Sequence, residues 1–172
     1  MNTRTIAPIQ TPLGRFLAVV DRDGALVALD FDARTSPWRE LPPDERRAKP
    51  VIEALTRYFT GERREFHLSL APEGTPFQKR VWAELVRIPY GATISYGELA
   101  RRIGDERAVR AVGRANGANP IPIVVPCHRV IGADGTLTGY AGGLERKQAL
   151  LALEARHGGH PVQLALTGDE RR

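Results

Sequence analysis

Apolar and polar positions follow two regimes along this chain. Up to residue 72, short apolar runs alternate with turn residues; beyond it, apolar positions recur at helical spacing. Thr5 to Ile9, Arg15 to Val20 and Ala25 to Phe31 are strand-length runs. Gln10-Thr11-Pro12-Leu13-Gly14 forms a turn between the first two. Asp21-Arg22-Asp23-Gly24 separates the second and third, so those two are expected to form a β-hairpin. Thr35 to Pro50 is rich in charge and proline and reads as a loop. Val51, Leu55, Tyr58 and Phe59 mark a helix, with Gly61 suited to its C-cap. Glu65 to Leu70 alternates weakly and is read as a further strand. His67, within it, is read as a surface or structural residue.

The second regime begins after a linker, Ala71-Pro72-Glu73-Gly74. Thr75-Pro76 fits an N-cap followed by proline at the first helical position. Phe77, Val81, Trp82, Leu85, Val86 and Ile88 make one apolar face, which Pro89-Tyr90-Gly91 ends. Tyr96 to Ile103 predicts a second helix. Ser95 is its N-cap, and Glu98 stands at the spacing of a capping box. A third helix is expected over Glu106 to Asn116. Two short helices joined across Gly104-Asp105 suggest a helix-turn-helix. Leu144 to Arg156 predicts a terminal helix with Leu144, Leu150, Leu151 and Leu153 as its apolar contacts. The organisation expected is 1–72 as an N-terminal sheet and helix domain, 73–158 as a second domain, and 159–172 as a loose tail.

One stretch fits neither regime. Asn119-Pro120-Ile121-Pro122-Ile123-Val124-Val125-Pro126-Cys127-His128-Arg129-Val130 carries the chain's one cysteine behind three prolines. Proline fixes φ and lacks an N–H, so no regular helix runs through it. The residue before each proline is pushed towards an extended conformation, so Ile121 to Val125 is expected to be buried, stiff and extended. By residue type, Cys127 is either a core thiol or a nucleophile. An imidazole or guanidinium close to the sulfur favours its thiolate, and His128 and Arg129 follow it directly.

Composition narrows the classes. One cysteine cannot form an internal disulfide, and one cysteine with four scattered histidines gives no zinc-ligand spacing. There is no apolar run of membrane-spanning length, and Met1-Asn2-Thr3-Arg4 lacks a signal-peptide pattern. With an unpaired thiol, a cytoplasmic protein is expected. Net charge is +5. Residues 1–72 carry eleven basic and ten acidic side chains, 73–130 nine and five, and 131–172 five and five. The excess thus sits in the segment leading to Cys127, where a helix-turn-helix would turn it towards phosphates.

The third helix is unusual. Ala108, Ala111, Gly113, Ala115 and Gly117 are small, which suits close packing or close approach to another surface. It offers few base-reading groups, so sequence-specific major-groove readout is not expected.

Pro126-Cys127-His128-Arg129-Val130-Ile131-Gly132 resembles the active-site signature of the O6-alkylguanine-DNA alkyltransferases, which move an alkyl group from guanine onto their own cysteine. The resemblance includes Ile88-Pro89-Tyr90-Gly91, Ile94-Ser95-Tyr96-Gly97-Glu98-Leu99-Ala100, Arg110-Ala111-Val112-Gly113, Asn119-Pro120, Gly139-Tyr140-Ala141-Gly142-Gly143-Leu144 and Glu154. It spans roughly residues 75 to 156. It implies an α/β (α+β) fold: a small ribonuclease-H-like sheet domain followed by a mostly helical domain with a helix-turn-helix.

The resemblance also implies roles. Cys127 is the acceptor, and Glu154 orients His128, which reaches Cys127 through a water. Tyr96 closes over the guanine edge. Arg110 takes the space of the everted base, while Ala108, Val109, Ala111 and Gly113 fit the minor groove. Val109 departs from the alanine common in the family. Arg101, Arg102, Arg107 and Arg114 are phosphate candidates. Asn119 braces the turn before the acceptor, Pro122 lines the alkyl wall, and the Val130 carbonyl reads the exocyclic amine. Tyr140, Ala141 and Gly142 belong to the loop over the pocket. Ala141 replaces a serine found in some members.

Together these imply DNA repair by single-turnover transfer from O6-alkylguanine, and from O4-alkylthymine, in double-stranded DNA. No cofactor or metal is implied. A monomer is expected, with cooperative binding along DNA left open. Three rivals stand beside this reading: a lesion-binding relative without transfer, a helix-turn-helix regulator and a cysteine hydrolase. The first lacks the cysteine and the second needs base-reading side chains on its third helix.

Overall fold

In a computed structural model of the chain, residues 3–158 are described. The loose tail expected over 159–172 lies outside them. The chain forms two compact units. Among the described residues, 3–74 and 120–124 make the first, and 75–119 with 125–158 make the second. The return of 120–124 to the first unit is not anticipated by dividing the chain into consecutive stretches.

The first unit is an antiparallel meander of β1 (Thr5–Thr11), β2 (Gly14–Val20) and β3 (Leu26–Asp30), in that order. Thr5 pairs with Val20 and Leu17 with Asp30. Phe16 to Val20 are all buried, because the middle strand is covered on both faces. Ile6, Leu17, Val19, Val27 and Ala28 pack with Trp38, Leu41 and Ala71. The helix α1 (Glu45–Phe59) buries Ala48, Val51, Ala54, Leu55 and Tyr58. Its Phe59 ring meets Phe16 edge-on at 6.3 Å.

Three expectations are corrected here. The charged loop ends at Asp44, not Pro50: Asp44 caps α1 by accepting from Arg47 N at 3.0 Å, and Pro50 lies inside the helix. Burial of the Ala48–Val51–Leu55 stripe outweighs the hydrogen bond that proline forfeits. The strand expected over Glu65 to Leu70 reduces to one bridge, Leu26 with Leu70. There the β3 edge accepts a short cover: Leu26 N donates to Ser69 O at 2.8 Å and Ala71 N to Leu26 O at 2.8 Å. Further along, Leu29 N donates to Pro120 O at 2.9 Å, which ties 120–124 to this unit.

The third correction concerns Ile121 to Val125, which is buried but turned, not extended. Ile123 has φ 74°, and Val124 N donates to Pro122 O at 2.9 Å, a γ-turn. A buried stretch short of amide donors satisfies its carbonyls locally. An isoleucine in the left-handed region costs about 1–3 kcal/mol, so the surrounding structure must hold it.

The second unit is helical: α2 (Pro76–Leu85), α3 (Tyr96–Arg102), α4 (Val109–Gly117) and α5 (Leu144–Gly158). Thr75 and Gln78 form a complete capping box on α2. Ser95 caps α3 from Glu98 N, but the Glu98 carboxylate turns to Arg101 and Arg102 instead of closing a box. Gly104, at φ 86°, ends α3 with bonds from Gly104 N to Arg101 O and Asp105 N to Ala100 O, a Schellman motif. The third helix starts at Val109, later than Glu106, because Asp105 gathers the Arg107 and Ala108 amides into a turn. Helices α3 and α4 pack together, and α2 packs on α4, giving the helix-turn-helix. Two short parallel strands, β4 (Ile94–Ser95) and β5 (Val130–Ile131), pair within this unit. Among the described residues no helix is long and apolar enough to cross a membrane.

Candidate active site

Cys127, His128 and Arg129 form one turn of 3-10 helix leading into β5. Pro126, at φ −82° and ψ 65°, enters it through an inverse γ-turn in which Cys127 N donates to Val125 O at 2.8 Å. The end of α4 holds the approach: Asn119 Nδ2 donates to Val125 O at 2.8 Å, and Asn116 Nδ2 to Cys127 O at 3.4 Å. Asn119 thus hydrogen-bonds the segment just before the acceptor turn. Asn116, its neighbour one turn earlier, was not singled out by the sequence.

Glu154 is fully buried on α5 and is the centre of the site. It accepts from His128 Nε2 at 2.7 Å, from Arg129 Nε at 2.9 Å and Nη2 at 2.8 Å, and from Gly91 N at 3.2 Å. Gly91, at φ 78°, must be glycine: a Cβ there would come 3.4 Å from Glu154 O on a backbone already left-handed. Burial resists ionisation of Glu154, but the imidazole and the guanidinium overcome it and hold its pKa well below the carboxylate range. The guanidinium cannot lose its charge, so Glu154 stays a carboxylate.

An ionised Glu154 requires His128 Nε2 to donate. That fixes the tautomer and leaves the Nδ1 lone pair as a base. Nδ1 is buried and has no hydrogen-bond partner. Burial pushes the His128 pKa below 6.5, against the pull of Glu154; Arg129 and Lys147 add to the lowering. The imidazole is thus neutral at rest.

Arg129 does not serve the sulfur. Beyond its two bonds to Glu154 it donates to Ile88 O at 2.6 Å and stacks over Tyr90 at 5.7 Å. The sulfur is buried, with Cys127 only 5% exposed, and burial raises its pKa. The Asn119 amide, Lys147 and the Tyr140 hydroxyl act in the opposite direction without reversing it. A standing thiolate, expected from the adjacent cations, is therefore corrected to a thiol beside a neutral imidazole.

Tyr96 begins α3 directly after β4, which pairs with β5, so its hydroxyl reaches Thr138, 3.5 Å from the carbonyl and 3.3 Å from Oγ1. Tyr140, in the loop that Thr138 opens, sits against the sulfur. The Val130 carbonyl accepts from Lys147 Nζ at 2.7 Å. Gly142 is buried and Ala141 exposed. Pro122 is buried in the first unit.

On α4, Arg110 and Arg114 are exposed and make no ion pair among the described residues, and Val109 is 39% exposed. Ala108 and Ala111 are partly exposed, and a Cβ at Gly113 would stand in ordinary contact with the Tyr96 ring, 3.9 Å away. Arg101 is tied to Glu98, and Arg102 to Glu98 and Glu84. Arg107 is exposed.

Sequence reasoning missed Lys147. It lies three and four residues before Leu150 and Leu151 and seven before Glu154, on the buried stripe of α5. Leu144, which stood in its place as an apolar contact, is 43% exposed. The helical spacing from Leu150 and Glu154 back to Lys147 was the available signal.

A buried thiol in the same turn as the histidine of an imidazole–carboxylate pair, on the unit that carries a helix-turn-helix, points to a DNA-binding protein that does covalent chemistry through its own cysteine. Similarity to known proteins narrows that class. Residues 76–156 match the family described as 6-O-methylguanine DNA methyltransferase, DNA binding domain, and 6–72 match its ribonuclease-like domain. The methylated-DNA–protein-cysteine methyltransferase of Mycolicibacterium paratuberculosis is 50% identical over 163 residues, covering 92% of this chain and 95% of the relative. A crystal structure of Mycobacterium tuberculosis O6-methylguanine methyltransferase superposes with a TM-score of 0.83 at 46% identity, covering 93% and 96% of the two chains. The structure of the M. tuberculosis protein in complex with DNA gives 0.83 at 45%, covering 89% and 94%. This chain belongs to the O6-alkylguanine-DNA alkyltransferase family.

Proposed function

We propose that the protein repairs duplex DNA by moving an alkyl group from guanine O6, or thymine O4, onto Cys127. The observation that carries this is the bare Nδ1 of His128, locked by Glu154 in the turn that holds the chain's one cysteine. Arg114 faces phosphates while the small side chains of α4 enter the minor groove. Everting the base costs about a few kcal/mol of stacking and pairing, and the Arg110 guanidinium takes the vacated place. The proton of Cys127 passes through a water to His128 Nδ1. Glu154 stabilises the imidazolium so formed, and the thiolate exists only while the lesion is in place.

The sulfur then attacks the alkyl carbon. An S–C bond forms as the C–O6 bond breaks, and guanine leaves with the electron pair. Guanine takes up one proton from the Tyr96 hydroxyl, and the proton that His128 took from sulfur is later released as the Tyr96 phenolate regains one from solvent. Tyr140 and the loop amides from Ala141 to Gly143 close over the alkyl group and O6. A thioether is a poor leaving group, so one chain repairs one base. The acceptor is the protein itself, and the reaction requires no cofactor. A regulator reading is not favoured, because α4 offers the major groove few base-reading groups.

Mixing the protein with a duplex holding one O6-methylguanine tests this. Uptake should stop at one methyl per chain, on the Cys127 peptide by mass. Cys127→Ser should take up none and still bind the duplex. Repeated turnover, or methyl on another residue, overturns the proposal.

A further inference from the structure

We propose that Lys147 is a positioning residue for the transfer: its ammonium ties the acceptor strand to the pocket loop and supplies the counter-charge for the sulfur as it ionises. This deepens the repair reading and rests on it. Lys147 is fully buried on α5. Its Nζ donates to Val130 O at 2.7 Å and to Thr138 O at 3.0 Å. Val130 begins β5, directly after the acceptor turn. Thr138 opens the loop that carries Tyr140, and its carbonyl also faces the Tyr96 hydroxyl. One ammonium thus joins the acceptor, the loop and the tyrosine that covers the guanine.

The charge itself needs an explanation. A buried ammonium is expensive unless a charge answers it, and two neutral carbonyls answer it only in part. Among the described residues Lys147 has no ion pair. Glu154, one face-length along the same helix, is already engaged by His128 and Arg129. The remaining candidate is the Cys127 sulfur, and the lysine charge does favour its ionised form. The cation therefore waits for an anion that appears only during transfer.

The titratable and charged groups around this point are Cys127, His128 and Arg129 on the acceptor turn, Tyr140 on the loop, Tyr96 at the head of α3, and Arg146 and Glu154 on α5. Of these, Cys127 acts on the lysine's own titration. Burial pulls Lys147 down to about 8, against the thiolate's pull upward. The ammonium is present below that pH and lost above it, so transfer should slow where ordinary thiol chemistry speeds up.

The test is single-turnover transfer from saturating O6-methylguanine duplex, followed across pH for the unsubstituted chain and for Lys147→Met. The unsubstituted chain should show a falling alkaline limb centred at about 8. Lys147→Met should transfer about tenfold more slowly at neutral pH, the effect of one pKa unit on the thiol, and should lack that limb. If Lys147→Met does not fold, the profile of the unsubstituted chain decides alone. A rate that keeps rising through pH 8, or the same limb in Lys147→Met, refutes the role of the lysine. A chain that takes up no methyl at any pH refutes the repair reading instead.

Discussion

The two units bury different things. Among the described residues, the polar side chains buried in the first are hydroxyls: Thr5, Thr11 and Ser36. The second buries two amides, an imidazole, a guanidinium, an ammonium and a carboxylate: Asn116, Asn119, His128, Arg129, Lys147 and Glu154. Buried charge costs stability unless it is paired and hydrogen-bonded, and the Lys147 ammonium has two carbonyl partners but no ion pair among the described residues. The confinement of buried charge to the unit with the cysteine marks where stability has been spent on chemistry. The sheet unit obeys the ordinary rule of apolar burial; the helical unit departs from it at one place.

Substitutions can break that contrast or sharpen it. The largest effect is expected from Glu154→Gln, which strips the charge answering Arg129 and the partner that sets the His128 tautomer. Stability measured by urea should fall by about 3–5 kcal/mol, and transfer should fall with it. The sign with pH follows from the depressed pKa of Glu154. Its contribution is complete above the ordinary value of 4.5 and is lost only as pH falls towards the folded value. The advantage of the unsubstituted chain over Glu154→Gln should therefore hold down to pH 4.5 and shrink below it. Phe16→Ala is the control in the other unit. It should also cost about 3–5 kcal/mol, through the cavity it leaves, while transfer per folded molecule is unchanged. Equal kinetic damage from both would abolish the distinction.

A smaller effect is expected from Arg110→Ala, at an exposed position that stability does not use. The fold should persist. Repair should slow, and the slope of log affinity against log salt should flatten by about 1 if the guanidinium meets a phosphate. An unaltered slope together with unaltered repair would remove Arg110 from the interface.

The same contrast explains how far the sequence could be read. Strand alternation and hairpin turns follow from neighbours in the chain, so β1 to β3 were legible, as were the caps at Thr75 and Ser95. The start of α1 was not, because proline and charge in the loop hid the Ala48–Val51–Leu55 stripe. Of the site, Cys127, His128 and Glu154 were visible through their motif. Their protonation states were not, since those depend on burial and on which cation reaches which carboxylate. Arg129 follows the cysteine in sequence yet serves Glu154, twenty-five residues on. Lys147 looks like any surface lysine until the helix is wound and the stripe from Leu150 to Glu154 turns it inward. Ile123 shows a further limit: three prolines exclude a helix, but they do not choose between an extended chain and a γ-turn.

The central claim is that the resting site is a neutral thiol and a neutral imidazole, with Glu154 already ionised beneath them. Nitrogen chemical shifts of the His128 imidazole test this most directly. The account predicts a proton on Nε2, a bare Nδ1, and no change as pH falls through 6.5, the ordinary histidine value. Protons on both nitrogens at neutral pH would contradict it, because the sulfur would then already be facing an imidazolium before any lesion arrived.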